Sequence, residues 1–332
     1  MRNGLLDLLK LLGAFLIVCA HMPPSNPAAR MIANVCPMAM LPFFLTSGYY
    51  FLSGDGRADA GKTLARVKKL LWITLKWFVF YLIVSTVLAA LCNGRFSNIL
   101  SLRAWIGHLT NPKTWLGLLA FQYVPGVGYQ LWFMFALVWC NLVALAGEKL
   151  GLRRLLYALI LPVCLGHIAL QEASNQLGLG LHAMVISNAW TTGVPLFMLG
   201  MWIREHEERL RRLPLGLLVA AVIVGMAEPM ISWTIYEGGR YYVGNYLAGT
   251  ALFLLALRLG GRVPVSKWTK WAGAASTTVY LVHTLFIELM KMGLQIVPSL
   301  QPMDWLVAPI AFVLSLGAHE LLRRLPKRAS NR

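Results

Sequence analysis

The chain runs again and again for about 20 residues with hardly a charge, and this limits its fold more than any other feature. A helix needs roughly 20 mostly apolar residues to cross the hydrocarbon core of a bilayer. Windows of that size give ten candidates, at residues 5–21, 33–53, 70–92, 129–147, 154–172, 189–203, 214–234, 243–259, 272–291 and 304–322. Hydrophobic side chains make up 58% of the 332 residues and charged ones 13%, about half the share usual in a soluble domain. The expected fold class is therefore all-α: a polytopic integral membrane bundle of about ten transmembrane helices, forming one domain over 1–332 with no separate soluble domain. The first stretch follows Arg2 as a signal peptide would. Asp7 and Lys10 interrupt it and no small-residue cleavage site follows Cys19 and His21, so it is expected to be retained. The five cysteines all fall inside apolar stretches without a CxxC pair, which points to neither a zinc site nor a disulfide framework.

The formal charge of +17 raises nucleic-acid binding as a first thought. The distribution of the basic residues argues against it. With the N-terminus inside, 22 Lys and Arg fall on the inner side and six (Arg30, Arg95, Arg103, Lys113, Arg240 and Lys291) on the outer, while Lys10 and Lys76 lie within spans. That asymmetry predicts an N-in, C-in topology, with the charge setting orientation in the bilayer. Connections are short except for the outer segment 93–128, where Trp105, Pro112, Trp115 and Pro125 suggest an interfacial or partly re-entrant piece.

Ionisable groups inside spans are costly and need a partner or a purpose. On the first helix Asp7, Lys10 and His21 fall within roughly 60° of one another, with Lys10 and His21 about 16 Å apart along the axis. They form a functional stripe or, equally, an interfacial ion pair plus a solvated histidine at the helix end. Ser276, Tyr280 and His283 share one face of the ninth stretch, where His283 is either bonded to a neighbouring helix or a proton-transfer group. Glu288 is expected to pair with Lys291. Glu228 precedes Pro229, whose kink opens backbone carbonyls to a cavity or serves packing alone. His167, Gln171 and Glu172 are expected to be solvated residues at the end of the fifth stretch. Arg66-Val67-Lys68-Lys69 is a cationic cluster that holds phosphates or merely anchors topology.

Taken in order, these segments resemble the bacterial type-three membrane acyltransferases, and the resemblance covers nearly the whole chain. Lys10 followed by His21 resembles that family's basic-x10-His signature, and Leu41 to Phe51 its second-helix motif. Arg66 to Lys69 stands where the family carries Arg-x-x-Arg, Gln130 to Phe133 matches its Leu-Trp-Phe element, and Ser276 to His283 matches Ser-x-x-x-Tyr-x-x-His. Two positions depart: Lys10 and Lys69 replace the usual Arg, keeping the charge but losing the planar fork. The chain resembles the short, stand-alone members.

The resemblance implies an O-acyltransferase, with O-acetyl transfer expected, that uses acetyl-CoA or another acyl-CoA as donor and no metal. Its acceptor would be a hydroxyl of a cell-envelope glycan or lipid-linked saccharide at the bacterial inner membrane, with the lipid bilayer as partner and no nucleic acid. His21 is expected to act as base or acyl carrier, with Lys10 held by Asp7 beside the path of the donor. His283 or Tyr280 would stabilise an oxyanion or orient the acceptor. Arg66 and Lys69 are assigned to the donor phosphates, and Gln130, Trp132, Glu228 and Ser276 to substrate binding. The competing expectation is a proton-coupled transporter or flippase for a lipid-linked glycan, in which the same histidines and carboxylates relay protons. A ligand sensor without turnover is more distant.

Overall fold

The computed structural model describes residues 2–23, 25–53, 56–92, 99–235 and 241–325. Arg95, Arg240 and the basic tail beyond 325 lie outside the described residues, as does the start of the 93–128 segment. Among the described residues the regular structure is helical, and the one β contact is an isolated bridge between Leu52 and Ala58.

Ten principal helices occupy the ten expected stretches: α1 (Gly4–His21), α2 (Leu41–Tyr49), α3 (Ala60–Leu91), α4 (Trp132–Lys149), α5 (Ile160–Gln176), α6 (Val194–Glu205), α7 (Leu215–Ile235), α8 (Val243–Leu259), α9 (Lys267–Ile296) and α10 (Val307–Arg324). Counting the short helical turns that lead into α2, α4 and α10, eight regions among the described residues are long and apolar enough to cross a membrane. α5 and α6, at 17 and 12 residues, fall short. A separate turn of helix, Arg153–Ala158, breaks away ahead of α5, and a π-helical turn, Ala189–Gly193, precedes α6. An apolar window averages composition and does not register such interruptions, which is why ten equal spans were expected.

Local chemistry explains the helix starts. Asn3 caps α1 by accepting from the N–H groups of Leu5 and Leu6, Asp59 caps α3 through Lys62 N–H, and Ser266 with Thr269 forms a capping box at α9. α3 has 32 residues, about 48 Å at 1.5 Å each, so it exceeds the bilayer core and carries its basic first turns beyond it. Trp72, Leu75, Val79, Ile83 and Val87 form an exposed apolar stripe along α3 at helical spacing, while Tyr81 on the other side is buried. In water this stripe would be a liability; on a membrane span it is the lipid-facing surface.

Helices meet closely where side chains are absent. A Cβ on Gly48 of α2 would lie 1.9 Å from the Phe197 carbonyl oxygen of α6, and one on Gly200 of α6 would lie 2.2 Å from that of Leu45. Such backbone approach is how helices associate when lipid offers no hydrophobic contrast. α1 lies against α9 and α10, α7 against α8, and α3 against α4. The described part of the long connection forms two short helices, Leu102–Thr110 and Pro112–Phe121, with Trp105 buried edge-on to Phe78.

Candidate active site

α1 and α9 run side by side in the same direction, so each contributes to two polar regions at opposite ends of one seam. At the first, Asp7 is only 3% exposed and receives Arg2 Nε on Oδ2 at 2.5 Å and Lys10 Nζ on Oδ1 at 2.8 Å. Gly273 of α9 makes room for it, since a Cβ there would stand 2.4 Å from Asp7 Oδ1. The Ser276 hydroxyl donates to the Gly273 carbonyl at 2.9 Å, supporting that turn instead of facing a cavity.

Two open basins adjoin this end. One, of about 590 Å³, is bordered by Arg2, Asp7, Lys10, Thr46, Tyr50 and Lys270. The other, of about 640 Å³, is bordered by Arg2, Tyr49, Tyr50, Arg204, Glu207 and Arg211. Glu207 joins the second wall together: it receives the Tyr49 hydroxyl and Arg204, each at 2.5 Å, and Arg211 at 2.6 Å. Burial pulls its carboxyl pKa upward, but the Tyr49 hydroxyl, Arg211 and Arg204 outweigh that and hold it below the usual carboxylate range. Arg66 turns toward this region, donating to the Tyr50 carbonyl at 3.3 Å and approaching Asn141 Oδ1 at 3.5 Å, whereas Lys69 is exposed on α3.

At the far end of the seam, His21 closes α1 and its ring stacks on His283 of α9, with centroids 5.2 Å apart and planes 29° apart. Tyr129 meets His21 edge-on at 5.1 Å. A cavity beside the pair is bordered by Ile17, His21, Met40, Phe43, Gln130, Trp132, Phe133 and Tyr280. Its volume is about 20 Å³, room for a single water, so a substrate must widen it to enter.

Hydrogen bonds dictate the chemistry available there. His283 is fully buried and its Nδ1 lies 2.9 Å from the Val279 carbonyl oxygen. A carbonyl only accepts, so Nδ1 carries the proton and Nε2 is left as a bare lone pair. The Tyr280 hydroxyl donates to the main-chain carbonyl of Gln130. Gln130 Nε2 donates to the Leu281 carbonyl at 3.1 Å, which also receives the Tyr81 hydroxyl at 2.5 Å. The protons of Tyr280 and neutral His283 are thus committed, leaving neither free to stabilise an oxyanion. Trp132 borders the same cavity.

The structure therefore gathers His21, His283, Tyr280, Gln130 and Trp132 at one end, and Asp7, Lys10 and Ser276 with inward-turned Arg66 at the other. Glu228 joins neither group: its carboxylate accepts from Gly244 N–H at 2.9 Å in the seam between α7 and α8. His167 and Gln171, expected to be solvated, are buried. His167 pairs Nδ1 with the Tyr246 hydroxyl at 2.6 Å and Nε2 with Ser187 Oγ at 3.1 Å, while Gln171 exchanges two 2.9 Å bonds with the backbone of Tyr241. The surrounding chain covers what span length alone placed in water. Expected pairing of Glu288 with Lys291 is present at 3.1 Å.

Sequence reasoning passed over Tyr129 at the cavity and assigned no site role to Arg2, Arg204, Glu207 and Arg211 at the basins. The Arg204–Glu207–Arg211 spacing of three and four carried a signal for one joined cluster. Among the described residues no three His, Cys, Asp or Glu side chains converge as a metal site requires. Comparison with protein families matches residues 3–318 to the acyltransferase-3 family, described as an acyltransferase domain. Curated proteins and solved structures give no match.

Proposed function

The chain belongs to the acyltransferase-3 family and is a multi-pass membrane acyltransferase, and on that premise we propose that it transfers an acyl group, acetyl foremost, from acyl-CoA to a hydroxyl of a cell-envelope glycan or lipid-linked saccharide. The observation that carries this reading is the division of one seam into a cationic end and a histidine end. The basins bordered by Arg2, Lys10, Lys270, Arg204 and Arg211 suit a phosphate-rich soluble donor. The inner-side excess of basic residues supports putting these basins at the cytoplasmic face of the inner membrane, with both chain ends inside.

In this scheme Arg66 and Lys69 hold the donor phosphates and the slim pantetheine arm passes Lys10, which Asp7 keeps in place. His21 lies about 16 Å further along α1. There it takes the proton of the acceptor hydroxyl as the oxygen attacks the thioester carbonyl; the C–O bond forms, the C–S bond breaks, and the proton passes to the departing CoA thiolate. The Trp132 N–H serves the developing oxyanion, because the protons of Tyr280 and His283 are engaged elsewhere. Gln130 lies in the acceptor site, whereas Glu228 and Ser276 keep structural roles.

Incubating labelled acetyl-CoA with membranes containing the protein tests the reaction. CoA release coupled to labelled lipid or glycan is expected. A transporter would give neither. Neutralising Arg66 and Lys69 together should weaken acetyl-CoA binding measured by titration; an unchanged affinity would remove the phosphate clamp while leaving the reaction standing.

A further inference from the structure

Buried polar atoms in a folded chain nearly always find a partner, and more so where no water reaches. Two exceptions lie at the histidine end, Gln130 bordering the cavity beside His21 and His283 stacked on His21. Gln130 is 1% exposed and donates through Nε2 to Leu281, yet its Oε1 is buried without a partner. His283 donates through Nδ1 to Val279, and its Nε2 is likewise buried without one. Because both donors point at backbone carbonyls, the amide orientation and the imidazole tautomer are assigned by bonding chemistry, and both orphan atoms are acceptors.

An orphan acceptor asks for a donor. Tyr280 cannot supply one, since its hydroxyl is already bonded to the main-chain carbonyl of Gln130. The thioester of an acyl donor presents only acceptors at its reacting end. A polyhydroxylated acceptor presents O–H groups, and a sugar ring presents several side by side.

Resting on the acyl-transfer reading above, we propose that Gln130 Oε1 and His283 Nε2 form a hydroxyl-binding pair that selects an acceptor carrying a free hydroxyl next to the one acylated. His21 handles the reacting hydroxyl, and the pair receives protons of its neighbours without removing them. No proton moves to His283 or Gln130 during the cycle. A neighbouring hydroxyl is thus a requirement for good binding, and an acceptor without one leaves the two lone pairs buried and unpaired, the same condition that makes a site reject an analogue lacking a hydrogen-bonding group.

The test uses full-length protein, labelled acetyl-CoA, and the membrane lipid fraction that the wild-type protein labels. Gln130→Met removes the acceptor atom at similar length. His283→Asn keeps an N–H near the Nδ1 position but nothing at Nε2, and His283→Gln can place an amide oxygen near Nε2. Loss of one such bond is expected to raise the acceptor KM about tenfold for Gln130→Met and for His283→Asn, with partial recovery in His283→Gln and acetyl-CoA affinity within about twofold of wild type. An acceptor KM that stays put would overturn the pair, as would equal behaviour of His283→Asn and His283→Gln. So would a joint loss of donor affinity and kcat without a change in acceptor KM, the signature of general disturbance. Absence of labelled lipid with the wild-type protein sinks the transfer reading and this inference together, and is read from a different sample.

Discussion

His283 and His167 are both buried within helices of a membrane bundle, at 0% and 1% exposure, and they end in opposite chemical states. His167 has Tyr246 on one ring nitrogen and Ser187 on the other, beside a Gln171 that bonds both ways to Tyr241. His283 bonds through Nδ1 alone, stacks on a second histidine and leaves Nε2 bare. Burial of an ionisable group in an apolar span therefore does not by itself mark function. What distinguishes the two histidines is leftover hydrogen-bonding capacity: His167 is bonded at both ring nitrogens and links α5 to α8, while His283 can still bind something.

The largest effect that can break this contrast belongs to His21→Ala. CoA-dependent transfer should fall by about 10²–10⁴-fold, the usual worth of a positioned acid–base group, with the thermal midpoint in detergent nearly unchanged. Wild-type turnover in that variant would move the reaction away from the histidine pair.

His167→Ala should do the reverse. Stranding the buried Ser187 hydroxyl and the half-buried Tyr246 hydroxyl costs up to about 1–3 kcal/mol for each group left unsatisfied, seen as a lowered denaturation midpoint. Turnover per folded molecule should stay within about twofold. A loss on the scale of His21→Ala would erase the distinction between the regions.

Tyr246→Phe sharpens the contrast on a smaller scale. It removes one partner of His167 and should cost about 1 kcal/mol by the same denaturation measurement, again without affecting turnover.

The smallest effect is at the basin wall, another fully paired region. Glu207 is held below the ordinary carboxylate range by Tyr49, Arg211 and Arg204 despite burial. A depressed folded-state pKa stabilises above the unfolded value, near 4.3 for Glu, and this stabilisation disappears as pH falls through the folded value. The midpoint difference between wild type and Glu207→Gln should therefore hold constant from about pH 7 to pH 5 and shrink only below about pH 4. A difference that already closes between pH 7 and 5 would contradict the pairing.

Much of the architecture was legible because the bilayer imposes a length on apolar runs. The ten stretches became α1 to α10, the Asp7–Lys10 pair follows from three-residue spacing, and Glu288 finds Lys291 for the same reason. The breaks ahead of α5 and α6 were invisible, since hydropathy averages over residues that continue or interrupt a helix alike. Glu228 beside its proline left a cavity role and a packing role open, and the close approach of Gly225 and Gly244, with the carboxylate bonded to Gly244 N–H, sets it in the α7–α8 seam.

By itself, the sequence determined that this chain crosses a membrane repeatedly, which residues share a helix face, and which order of motifs it carries, because helical period and bilayer thickness act over short separations. Only the tertiary structure decided which polar groups are satisfied. Tyr280 reaches across to the Gln130 carbonyl, Gln130 to Leu281, and His167 to Tyr246, all between segments far apart in the chain. A hydrogen bond depends on distance and direction in space, so neither the closed histidine nor the open one can be told from its place in the sequence.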